Sequence, residues 1–264
     1  MCRLLGYLGE PILLESIVSQ PEHSLIVQGY QPREMKEGLL NADGFGVGWY
    51  HHQKQSLPFT YKNIQPIWND INLNSLGRYI ESGCMIGYVR SATPGQGIDL
   101  SNCQPFSYKN ILFIHNGYID KFRFTLYKEI RDYLKEIPYL LIKGNTDSEH
   151  IFALLINEIL SNIGIGCNFK HALQEILGIL TEIAQTKEIK FLANTIITDG
   201  HKLVASRFAQ GATPPSLYWL KDDPHFPNAV IIASEPLFLG RWQKFPEQSI
   251  ITVSENLDID IYKL

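Results

Sequence analysis

The chain has 264 residues, 45% hydrophobic and 19% charged, with a formal net charge of −4. That is a globular composition, long enough to bury a large core, and its dispersed basic residues exclude a nucleic-acid footprint. No apolar run approaches the ~20 residues of a membrane span, and MCRLLGYLGE lacks the pattern of a secretory leader, so the expectation is a cytoplasmic protein with no membrane partner.

Residues 2–8 (CRLLGYL) predict a short strand and 12–20 (ILLESIVSQ) a short helix. GFGVGWYHH (44–52) alternates small and bulky residues, as in a strand that other backbone approaches closely. NSLGRYIESG (74–83) has a helical pattern and leads into a strand at 84–92, CMIGYVRSA. ILFIHNGYI (111–119) is apolar on both sides of Asn116-Gly117, and that dipeptide predicts a break in the form of a type I′ hairpin turn. Amphipathic helices are predicted at 122–137, 146–160 and 169–185, the second placing Ile151, Leu155 and Ile159 on one face. SNIGIGCN (161–168) supplies a glycine-rich turn. Strands follow at 191–200, 201–209, 216–220, 229–235, 249–254 and 257–264. Strands at both ends with helices between them predict termini that share sheets, an α+β layered domain over 1–264 rather than alternating βα units.

Cys2, Cys84, Cys103 and Cys167 form no CxxC pair and have no histidines at zinc-like spacing, so reduced thiols are expected, with no metal and no cofactor. Cys2 has two readings. It starts a buried strand as a small hydrophobe, or, once Met1 is removed, it carries a thiol nucleophile and an α-amine base on one residue. An α-amine has a reference pKa of ~7.7–8.0, which leaves a useful fraction unprotonated at neutral pH.

Three further stretches carry chemistry. In GYVRSATPG (87–95), Arg90 ends a strand, where its planar fork suits a bidentate carboxylate; a surface ion pair is the plainer reading. In IHNGYI (114–119), the Asn116 amide and the Gly117 N–H could both point at one oxygen as an oxyanion hole. In GNTDSEH (144–150), Thr146 and Glu149 form a capping-box pattern in which Asp147 suits the helix start, or else binds an ammonium. Each is ordinary alone. Together they make a kit for an α-amino acid that carries a reactive side-chain amide.

This order of motifs resembles the glutaminase domain of class II glutamine amidotransferases, members of the N-terminal-nucleophile hydrolases. MCRLLGY, NADGFGVGWY, VRSATPG, NCQPF, HNGYI, GNTDSEH and ASEPL carry the resemblance, which is strongest to the stand-alone branch. That branch includes the γ-glutamyl hydrolase of ergothioneine biosynthesis and a component of a glutathione-degrading complex. The resemblance implies a four-layer αββα sandwich of two antiparallel sheets. It also implies Cys2 as nucleophile with its own amine as base, and Asn116 and Gly117 as the oxyanion hole. Arg90 would bind the substrate carboxylate, Asp147 its ammonium, and Thr93 would line the pocket. The expected reaction is hydrolysis of a γ-glutamyl amide through a Cys2 thioester. The alternatives are a glutaminase passing ammonia to a synthase or second-subunit partner, and a γ-glutamyl-binding module without turnover. Two departures stand out: Gln104 where many relatives have histidine, and Ser91 where the larger enzymes commonly have tryptophan.

Overall fold

The computed structural model describes residues 1–35, 40–51, 53–92, 97–162 and 168–264. Its first sheet is built from β1 (Arg3–Leu13), β2 (Phe45–His51), β3 (Gln55–Asn63) and β4 (Glu81–Val89), joined from the last third of the chain by three more strands. The second sheet begins with β5 (Phe106–Tyr108), β6 (Ile111–Ile119), β7 (Phe191–Thr198), β8 (Leu203–Arg207) and β9 (Ala209–Gln210). The strands that complete the first sheet are β10 (Tyr218–Asp223), β11 (Phe226–Ala233) and β12 (Gln243–Lys244), and β13 (Ser249–Val253) and β14 (Ile259–Lys263) complete the second. All pairings among the described strands are antiparallel.

Alternation along the strands creates three cores, and the cores define four layers. Leu5, Tyr7, Val47 and Ile231 point outward from the first sheet onto α1 (Glu15–Val18), α2 (Leu25–Tyr30) and α3 (Leu73–Tyr79). Phe113, Ile119, Ala193 and Ile197 point outward from the second sheet onto the opposite helical layer. That layer holds α4 (Phe122–Thr125), α5 (Tyr127–Tyr133), α6 (Glu136–Leu141), α7 (Asp147–Ser161) and α8 (Phe169–Thr186). The intervening strand residues Leu4, Leu8, Ile86, Leu112, Ile114, Ile196 and Ile232 pack between the sheets. The result is an αββα sandwich, the expected fold class.

The termini meet the expectation in part. β1 runs between β4 and β11, so the chain start lies in the middle of a sheet completed by the last third, whereas β14 lies in the other sheet. Several boundaries differ. β1 continues to Leu13 and leaves α1 only four residues. β3, β5, β9 and β12 were not expected; β3 contains Pro58, and it lies at a sheet edge, where a missing N–H is tolerated.

The predicted helix over 122–137 is three short helices. Leu134 turns extended, with ψ of 138°, and the Asn157 side chain of α7 accepts the exposed Lys135 N–H at 2.9 Å. Across the break the Arg131 guanidinium lies over Tyr127 and Tyr139, and its Nε contacts His150 Nε2 at 3.0 Å. Most of the expected turn at 161–168 lies outside the described residues.

The Asn116-Gly117 dipeptide does not make a hairpin. β6 passes straight through it, paired throughout with β7, Asn116 opposite Asn194 and Gly117 opposite Ala193. Glycine is required there because a Cβ would lie 1.8 Å from the Leu192 carbonyl oxygen. In β2 a Cβ on Gly46 would lie 2.1 Å from the Gln104 carbonyl, the close backbone approach expected of that strand.

Candidate active site

Cys2 immediately precedes β1 and is buried between the sheets. The register places Leu4 beside Tyr88 and Arg3 beside Val89, which brings Cys2 to the end of β4. Its Sγ lies 3.0 Å from the Tyr88 hydroxyl and accepts the Ser91 N–H at 3.4 Å. Burial, and secondarily the neighbouring Cys2, push the Tyr88 phenol well above its ordinary range, so it keeps its proton and can donate to the sulfur. The other described thiols are held differently. Burial pushes Cys84 up to about 12 and also raises Cys103, so both remain protonated near neutrality.

Two devices fix the chain start. Leu4 N–H donates to Ser234 Oγ at 2.8 Å, and Leu4 accepts from Ser234 N at 3.0 Å. Beside them the buried Glu235 carboxylate accepts from Arg3 Nη1 (3.0 Å), His23 Nε2 (2.7 Å) and the backbone N–H groups of Arg33 and Glu34 (2.8 and 3.0 Å). Burial alone would raise this carboxyl; the His23 hydrogen bond, the Arg3 charge and the two N–H groups outweigh it and hold it below the usual carboxylate range. A depressed carboxyl pKa adds stability that is present above the unfolded value and lost as pH falls through the folded one. Glu235→Gln should therefore lose on the order of 3 kcal/mol at neutral pH. Urea unfolding of both proteins across pH should show the wild-type advantage shrinking below about pH 4. An advantage independent of pH would mean that the carboxylate charge does not hold this corner together.

Arg90 is buried at the end of β4, on the inter-sheet face it shares with Tyr88. It donates to the backbone oxygens of Asp43 and Gly97, each at 3.3 Å. Asp43 Oδ2 accepts the Ala92 N–H at 2.8 Å, so NADG braces the backbone at Ala92, two residues after Arg90. Asn102 donates to the same Gly97 oxygen (3.1 Å) and accepts the Asn145 N–H (3.2 Å). This connects the arginine corner to the segment leading into α7. Thr93 lies outside the described residues, as do Cys167 and His52.

Asp147 is the first residue of α7 and is buried. One oxygen accepts the Ile119 N–H at 2.8 Å and the other the Ser148 N–H at 2.8 Å, tying the helix start to the end of β6. Thr146 caps α7 through Glu149 N (3.3 Å). Glu149 reaches past the cap to the N–H groups of Lys143 and Gly144, a variation on the expected reciprocal box.

Asn116 is 1% exposed, and among the described residues neither oxygen nor nitrogen of its carboxamide has a hydrogen-bond partner. Its strand is held firmly around it. Gln104 Oε1 accepts the His115 N–H at 2.5 Å and Gln104 Nε2 donates to the His115 oxygen at 3.1 Å, so the departure from histidine does backbone positioning here. The His115 ring is kept neutral by burial. Nε2–H donates to the Leu192 oxygen (3.0 Å), which leaves Nδ1 to accept from the Ser148 hydroxyl (2.7 Å).

No sequence motif by itself gives Tyr88, Asp43, Asn102 or Glu235 a role. Asp43, Asn102 and Glu235 stand within stretches that carried the resemblance; Tyr88 lies within GYVRSATPG and carried no signal of its own. Among the described residues no group of His, Cys, Asp and Glu is arranged to hold a metal ion, and no helix is long and apolar enough to cross a membrane.

The chain start in a central strand, a second antiparallel sheet facing it and helices outside both sheets form a fold also seen in solved proteins. A solved glutamine aminotransferase class-II domain protein from Silicibacter pomeroyi has this fold, with a TM-score of 0.72 over 99% of both chains at 24% identity. Residues 1–254 match the family of class-II glutamine amidotransferases, and the chain belongs to that family. It is thus a hydrolase of γ-glutamyl carbon–nitrogen bonds. Among curated relatives, the probable glutamine amidotransferase DUG3 of Saccharomyces cerevisiae is 28% identical over 97% of this chain and 82% of its own. The γ-glutamyl-hercynylcysteine sulfoxide hydrolase of Mycolicibacterium smegmatis is 28% identical over 97% of this chain and 96% of its own.

Proposed function

We propose that the mature chain starts at Cys2, as one catalytic unit, and hydrolyses the γ-glutamyl amide of a small thiol-histidine-type conjugate, releasing glutamate. The observation that carries this reading is the unpartnered, buried Asn116 carboxamide on the same inter-sheet layer as the Cys2 thiol. A buried polar group without a partner costs ~1–3 kcal/mol and calls for an explanation, and a catalytic role is one that fits its place here. The likeness to the mycolicibacterial hydrolase along nearly both full lengths supports the choice of substrate.

In this reading the free α-amine takes the thiol proton, with Tyr88 and the Ser91 N–H stabilising the developing thiolate. The sulfur attacks the γ-carbonyl carbon, and the oxygen gathers negative charge towards the Asn116 amide and the Gly117 N–H. The C–N bond then breaks, and the departing nitrogen takes a proton from the α-ammonium. Water adds to the thioester with the amine as base, which returns the thiol and frees glutamate. Arg90 pairs with the substrate α-carboxylate in a fork oriented by the Asp43 and Gly97 carbonyls, and Asp147 pairs with its α-ammonium.

The test is a panel of glutamine, γ-linked and α-linked glutamyl amides, and γ-glutamyl thiol-histidine conjugates, read by released glutamate. The γ-linked conjugates should be cleaved and the α-linked ones rejected. Arg90→Lys should lower kcat/KM against every γ-glutamyl substrate, because an ammonium cannot reproduce the fork and a desolvated carboxylate loses ~2–5 kcal/mol. Efficient cleavage of α-linked amides, or an Arg90→Lys enzyme of normal efficiency, would return Arg90 to a purely structural place. Glutamine turned over far faster than any conjugate would instead select the ammonia-donor alternative.

A further inference from the structure

Asn194 stands directly opposite Asn116 in the β6–β7 pair. Directly opposed residues of an antiparallel pair project to the same face, with Cβ atoms ~4.5–5.5 Å apart. That face is the inter-sheet layer, since the flanking Ile114 and Ile196 both belong to its core. Asn194 is fully buried, and its two halves are treated unequally. Its Nδ2 donates to the carbonyls of Pro215 (3.1 Å) and Ser216 (3.4 Å), which commits both amide protons and fixes which atom is oxygen. Its Oδ1 has no partner. The backing segment is itself pinned, because Arg207 donates to Pro214 (3.3 Å), Pro215 (2.8 Å) and Phe245 (2.9 Å). Two buried carboxamides therefore face one layer, one with an immobilised, unsatisfied acceptor and the other with two unsatisfied N–H donors.

We infer that Asn194 is a positioning residue for Asn116: its Oδ1 accepts one amide proton of Asn116 and so aims the other at the oxyanion. The inference rests on the functional reading above. A lone asparagine amide turns through a broad torsional well, so a donor aimed at a transient charge needs its second proton held. In substrate-free sites such hydrogen bonds are commonly long and tighten once the reacting oxygen is bound. The competing explanation is that Asn194 only ties the Pro215–Ser216 segment to β7. That explanation predicts lost stability and no coupling to Asn116.

The experiment is a double-mutant cycle on the full chain, with glutamine and a γ-glutamyl anilide as probes and thermal melting alongside. Asn194→Ser keeps a small polar side chain on β7 but, one bond shorter, no longer presents an acceptor at the Oδ1 position. It should lower kcat about tenfold with KM within ~2-fold, and should have less than ~2-fold effect when Asn116 is already alanine. Asn194→Asp keeps an acceptor while facing two carbonyls with a carboxylate, so it should melt lower than Asn194→Ser yet retain the higher kcat. Equal factors in both Asn116 backgrounds, a kcat order that follows melting temperature, or loss of folding in both variants would overturn the inference. A wild type that turns over neither probe would remove the functional reading and the inference with it. An active wild type with equal factors would remove the inference alone.

Discussion

Cys2→Ala will abolish release of glutamate while the protein still folds. The change removes one sulfur whose contacts are the Tyr88 hydroxyl and the backbone of Ser91, while the β1 pairing that starts at Arg3 is untouched. A small buried truncation of this kind costs ~1–2 kcal/mol, a shift of a few degrees in melting temperature for a chain of this size. In the proposed mechanism nothing substitutes for the sulfur, because water lacks both its nucleophilicity and its place. Cys84→Ala and Cys103→Ala are the controls. Burial keeps both thiols protonated, and Cys84 also lies against Thr198 Oγ1 at 3.2 Å, so their removal should alter stability more than rate. A folded Cys103→Ala protein as inactive as Cys2→Ala would contradict the assignment of one nucleophile.

Asn116→Ala should separate stability from rate in the opposite sense. Loss of an oxyanion donor lowers kcat by on the order of 10²–10³, equivalent to ~3–4 kcal/mol of transition-state stabilisation. In the resting protein the same side chain makes no hydrogen bond, so its removal breaks none and relieves two unsatisfied buried atoms. The variant should therefore melt at or above the wild-type temperature while turning over far more slowly. A residue that merely serves its strand would give a lower melting temperature and normal single-turnover rates, and that pairing would remove Asn116 from the chemistry.

The strands that hold the site are legible in the sequence because a short apolar run bounded by polar residues is a local signal. β4, β6, β7 and β11 can be read as short, nearly continuous apolar runs rich in β-branched residues, as strands buried on both faces are, and the layered class follows from where they fall. What it misplaced depends on partners distant in the chain. Asn-Gly favours a tight turn when judged alone, but β7 pairs along the whole of β6, and the Leu192 carbonyl demands the glycine for clearance rather than for a turn. The periodicity of 122–137 is continuous, yet Asn157 from another helix captures the Lys135 N–H and rewards a break. Gln104 could be recognised as a departure, but its hold on both backbone groups of His115 follows only from the fold. Asn194 looks like an ordinary polar position until the register sets it against Asn116, and Ser234, though within ASEPL, shows its hold on Leu4 only in the fold.

The most direct measurement is rapid quenching of the enzyme with a γ-glutamyl conjugate in the first turnover, followed by intact-mass and peptide-mass analysis. The account predicts a chain that lacks Met1 and carries one glutamyl group as a thioester on the Cys2 peptide, decaying as free glutamate appears. Full turnover by a protein that retains Met1, or a glutamyl adduct on any residue other than Cys2, would contradict it.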